Sequence, residues 1–192
     1  MSYCGRNEGG NRSRRGSAVV WILVATPVLL VLFMVVLSLA SIWQARAELQ
    51  NAVEAAALAG AKFWGDNADS PTNRTSARAA AQALFQSNMV FGKMVSIATN
   101  DNPSATNNNL STSGPILLGS YAPSTFHVNQ SPGAVNERAC YVITTASVTP
   151  LLQGLGVLGP FTVKASAAAV YNGSSQGTGR PQLTIVTSIS TQ

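Results

Sequence analysis

The uncharged run from 17 to 43 limits what this chain can fold into more than any other feature. Twenty-seven consecutive residues carry no charge, and 28–37 is almost pure Val, Leu, Phe and Met. About 20 helical residues cross a bilayer core ~30 Å thick. Backbone amides in lipid have to be paired within their own segment, so the run is expected to be a transmembrane helix despite its many valines. Pro27 removes one amide and is expected to bend it. Trp21 and Trp43 stand near its ends, where amphipathic rings favour the interface. A buried core helix of this length would need a much larger protein around it. A cleaved secretory signal is the better rival, because Ala45-Arg46-Ala47 fits the A-x-A cleavage pattern. Its apolar stretch is normally shorter, about 7–15 residues, and a retained anchor is the reading taken.

Charge supports that reading. The net charge is +5, but Arg6, Arg12, Arg14 and Arg15 against Glu8 concentrate it before residue 17. A nucleic-acid protein would spread its bases over a folded face, and no nucleic-acid partner is expected. Basic residues beside an apolar helix stay on the cytoplasmic side, so the N-terminus is expected inside and the rest of the chain outside. Cys4 and Cys140 then lie on opposite sides and cannot pair. Charged residues make up only 10% of the chain, against ~25% in ordinary soluble proteins, which excludes charge-rich disorder and a Glu/Lys coiled coil.

Beyond the run the helical pattern continues, rich in Ala, the best helix former, to about residue 63. Leu49, Val53, Ala56, Gly60 and Phe63 share one face. Ala52, Ala56 and Gly60 form a small-x-x-x-small ladder, which lets backbones approach closely. It is expected to be a helix-packing interface, either with another subunit or against the protein's own sheet. The expected organisation is a basic cytoplasmic tail (1–16), a transmembrane helix (17–43), a helical stalk (44–63) and an extracytoplasmic α+β domain (64–192). Within that domain a second helix is read at 73–87, with Ala77, Ala80, Ala81, Leu84 and Phe85 as its apolar face. Strands are read at 93–99, 116–121, 125–129, 139–148, 161–171 and 182–190, those at 139–148 and 161–171 pairing. The fold class is α+β: helix packed on a small antiparallel sheet. The connection at 151–158 is apolar, and Leu151, Leu152, Leu155 and Leu158 are candidate partner-contact residues.

Motif matches that suggest chemistry fail on context. Gly154, Gly156 and Gly159 fit a dinucleotide fingerprint, but Pro160 and a strand follow where a helix is required. Ser175 fits a nucleophile elbow, but no acid or His follows it. His127, the single His, sits in an ordinary strand pattern. No catalytic residue, cofactor, metal or small-molecule substrate is expected.

Arg14-Arg15-Gly16, the long apolar helix, and the Leu49-Gln-Asn-Ala-Val-Glu-Ala-Ala-Ala-Leu-Ala-Gly-Ala61 segment together resemble the TadE/TadG family of bacterial tight-adherence (Flp) pilus-assembly proteins. The resemblance implies a pilin-like fold, a single-pass place in the bacterial inner membrane, and a non-enzymatic role as minor pilin or assembly protein, with other pilus or secretion-apparatus subunits as partners. It also marks Gly16 as a prepilin-peptidase site. Processed TadE-like prepilins carry Glu five residues later, where this chain has Trp21; TadG-like members lack that Glu and keep the anchor. The alternative is an unrelated anchored cell-surface or exported binding protein.

Overall fold

The computed structural model of the chain describes residues 14–90, 92–99, 114–121, 126–128, 137–149, 159–172, 180–184 and 189–190. Helix α1 (Arg14–Asp66) spans 53 residues and runs through Pro27, a length of ~80 Å at 1.5 Å per residue. Its two halves meet different surroundings. From 18 to 37 every residue is exposed. From Ser38 onwards one face turns inward, and Ala45, Leu49, Val53, Ala57 and Ala61 are fully buried. The 44–63 segment thus lies on the sheet as the central element of the core.

Helix α2 (Pro71–Ser87) returns beside α1. Ser70 sets its start: its hydroxyl accepts from the Asn73 amide at 3.2 Å, and Pro71 occupies the first turn, where its missing N–H leaves no bond unmade. The buried stripe runs through Arg74, Ala77, Arg78, Ala81 and Phe85. Ala77, Ala81 and Phe85 are the inward residues expected. Leu84 is 40% exposed and Ala80 half-buried, because the stripe follows i, i+4 spacing through the two arginines.

Strands β1 (Met89–Val90) and β2 (Lys93–Met94) form a short hairpin, turning at Gly92 with φ +67°. The longer strand read at 93–99 is therefore confined to two residues. The main sheet contains β3 (Ile116–Tyr121), β4 (Phe126–Val128), β5 (Arg138–Val148), β6 (Phe161–Asn172), β7 (Arg180–Thr184) and β8 (Ile189–Ser190), in the order β7-β6-β5-β3-β4-β8. All neighbours are antiparallel except β4 and β8. The single strand read at 182–190 divides into β7 and β8, which pair at opposite edges.

The centre of the sheet is β5 with β6, in register from Ala139↔Val170 to Val148↔Phe161. Alternation sends Cys140, Val142 and Ala146 of β5, and Val163, Ala165 and Ala167 of β6, into the core beneath α1. Small side chains on both sides of this seam let the helix lie close to the sheet. On the other face Leu117, Ala139, Tyr141, Ala168 and Val170 cluster with Phe126; the Phe126 and Tyr141 ring centroids are 5.7 Å apart.

Candidate interaction surfaces

The first surface is the exposed half of α1. Between 18 and 37 its Val, Leu, Ile, Phe and Trp side chains face outward all round the helix. Such a helix is stable only where its whole circumference meets an apolar medium. Its few hydroxyls are satisfied internally: Thr26 donates to the Ile22 carbonyl at 2.7 Å. Just beyond, Ser38 donates to the Met34 carbonyl at 2.8 Å. Among the described residues this is the one helix long and apolar enough to cross a membrane.

The second is the small-residue ladder. Ala52 and Ala56 are fully buried, and Gly60 is buried with them. A methyl group on Gly60 would stand 2.6 Å from Cys140 Sγ and 3.2 Å from Ala81 Cβ. The ladder therefore brings α1 against α2 and β5 within one chain.

The third is a polar cluster at the end of the domain farthest from the apolar run, which the sequence reading missed. The last carbonyls of a helix have no partner within it. Arg138 of β5 supplies one, donating to the carbonyls of Trp64 and Asn67, each at 2.6 Å. A cation at a helix C-terminus also meets the negative end of its dipole. Its guanidinium lies 5.8 Å from the Trp64 ring centroid, and that of Arg74 lies at 6.0 Å. Trp64 Nε1 donates to Asp69 at 2.9 Å, and Arg74 grips the same carboxylate through Nε at 2.7 Å and through Nη2. Burial pushes the Asp69 carboxyl up, but the hydrogen bonds from Arg74 and Trp64 and the charges of Arg74 and Arg138 outweigh it and hold it below the usual 3.8. Asp66 is also held down, first by its bond from Lys62, against the cost of burial, with help from Tyr171 Oη at 2.8 Å. A Cβ on Gly65 would enter the Tyr171 ring. The signal was present in the sequence, as bases placed five residues after Asp69 and before a strand, but it carries no periodicity.

The remaining expected residues fall differently. Gly16 lies in the first turns of α1 by its backbone. Leu151, Leu152, Leu155, Leu158 and Ser175 lie outside the described residues. His127 is half-buried in β4, across from Ser120, which in turn pairs with Arg138 of β5. Burial pushes the Cys140 thiol up to about 12, with the nearby charge of Arg78 opposing it, so it is an inert core group. No group of His, Cys, Asp and Glu suited to a metal ion occurs among the described residues.

An apolar helix that is bare for its first half and is the core of an α+β domain for its second defines a pilin-like architecture. Residues 16–62 match the Tad family, described as "Putative Flp pilus-assembly TadE/G-like". The match ends within four residues of the end of α1 and takes in both its bare and its buried halves. No curated protein and no solved structure matches the chain.

Proposed function

We propose that this chain is a non-enzymatic, membrane-anchored component of a Flp/Tad pilus or a related secretion apparatus, acting as a minor pilin or assembly protein. The observation that carries the reading is the coincidence of the family match, over 16–62, with one helix that is apolar and exposed before Ser38 and core after it. The Arg cluster ahead of the span supports an N-terminus in the cytoplasm, with the α+β domain outside the inner membrane. The ladder Ala52, Ala56 and Gly60 serves the chain's own fold, and contact with other subunits falls to the bare helix and the outer surface of the domain.

Deletion of the gene should abolish or reduce surface pili, with the full-length chain restoring them and a chain lacking 18–37 failing to do so. Protease added to spheroplasts should digest the α+β domain and spare the first sixteen residues. Normal piliation in the deletion strain would overturn the assembly role. Extraction of the intact chain by carbonate would overturn the anchor.

A further inference from the structure

Three contacts fix the height of the sheet along α1. Tyr171 reaches Asp66 and Arg138 reaches the Trp64 carbonyl at one end, while Gln50 Nε2 donates to the Ser166 carbonyl at 3.2 Å lower down. Strand β6 therefore runs in the same direction as α1, and its start points towards the bare half of the helix. Five residues separate Ser166 from Phe161, about 17 Å at ~3.3 Å per residue. That height equals about eleven residues of helix at 1.5 Å each. The Cys140–Gly60 contact, eight strand residues above Val148, gives about eighteen, so the Val148–Phe161 end of the sheet comes down to residues 39–43 of α1, just above Ser38. The burial of Ser38 agrees: it is 2% exposed, while Leu37 and Leu39 beside it are 39% and 55% exposed. The bare helix is thus 18–37, twenty residues and about 30 Å, which equals the thickness of a bilayer core.

The side chains at this end match what lies just outside such a core. The β1–β2 hairpin is there too, since Lys93 and Met94 line a shared hollow with Thr145–Thr149 of the β5 end. Beyond Leu39, the large apolar side chains exposed among the described residues are Trp43, Leu84, Met89, Met94 and Phe161. Leu84 sits on the last turn of α2, and the other four belong to this end. Arg46, Lys93 and Lys164 are exposed around them. The carboxylate of Glu48 is engaged by Gln44 at 2.8 Å.

Resting on the membrane-anchor reading above, we infer that the α+β domain is seated directly on the outer face of the bilayer. Trp43, Met89, Met94 and Phe161 lie in the headgroup region, and Arg46, Lys93 and Lys164 lie against lipid phosphates. Aromatic rings and thioethers suit a layer that is half apolar, and long basic side chains keep their stems in it with their charges at the phosphates. The 44–63 segment then lifts nothing; it is the spine of a domain whose base begins where the hydrocarbon ends.

The experiment uses the full chain with Cys4→Ser, reconstituted in mixed phosphatidylcholine–phosphatidylglycerol vesicles. Cys140 is buried and leaves the background unlabelled. Single fluorophores are placed through Leu30→Cys, Met94→Cys, Phe161→Cys and, at the opposite end of the domain, Thr72→Cys. Lipids carrying nitroxide on the headgroup should quench positions 94 and 161 several-fold more than position 72, and lipids carrying it mid-chain should quench position 30. Quenching at 94 and 161 no greater than at 72, with position 30 quenched, would overturn the seat and leave the anchor standing. An unquenched position 30 would overturn the anchor, and the seat with it.

Discussion

Gly60 shows how little space the core of this domain allows. With Cys140 Sγ 2.6 Å from where its Cβ would be, Gly60→Leu is expected to lower stability by about 3 kcal/mol, the upper part of the usual cost of overpacking. A thermal melt of the detergent-solubilised chain measures it. Removing the opposing sulfur should return part of the loss, so Gly60→Ala with Cys140→Ala should melt above Gly60→Ala with Cys140 intact. Asp69 sits at the other extreme, as a charge on which three neighbours depend. Asp69→Asn removes the counter-charge of the Arg74 guanidinium; the arginine side chain is 8% exposed but the carboxylate is 27% exposed, so a loss of about 1 kcal/mol is expected. The folded values of Asp66 and Asp69 both lie below 3.8. A depressed carboxyl stabilises the fold above its unfolded pKa and loses that contribution as pH falls through its folded one. The melting temperature should therefore hold steady down to about pH 4 and fall below it, and Asp69→Asn should flatten that fall.

At the scale of elements, α1 carries both the bare apolar segment and the core, and a charge should act differently in each half. Leu30→Arg places a cation at the centre of the bare segment, where insertion costs about 2.5–3.5 kcal/mol. The chain should shift towards the soluble fraction in membrane fractionation while the domain still folds. Val53→Arg should instead leave the chain in the membrane and abolish the cooperative melt, because Val53 is fully buried. How far these elements could be read from the sequence follows their periodicity. Helix α1 was legible because twenty-seven uncharged residues run into an Ala-rich segment, and β5 and β6 because their runs rich in Val, Thr and aromatics are long. Packing of 44–63 on the sheet was one of two readings the sequence left open, since small side chains suit a subunit contact and a tight seam within the chain equally well. The division of 182–190 between two edges was hidden for a similar reason, as pairing between distant strands leaves no local mark. The Trp64 cluster was missed because its members come from α1, α2 and β5 and meet only in the folded chain.

Over the whole molecule, the chain reads as a bare rod, a packed domain wrapped on the rod's second half, and a polar knot at the far end. Strands β7 and β8 close the described sheet at its opposite edges. The uninterrupted course of α1 from the span into the core has a mechanical meaning. With no hinge between them, a twist applied to the bare rod turns the domain through the same angle, and a load on the domain is felt as torque along the rod. One alanine inserted between Leu30 and Val31 would rotate the lower rod by about 100° against the domain, and four would rotate it by only about 40°. If neighbouring subunits grip the rod on one side, pilus output should fall sharply with the single insertion and recover much of its level with four, as counted on sheared filaments.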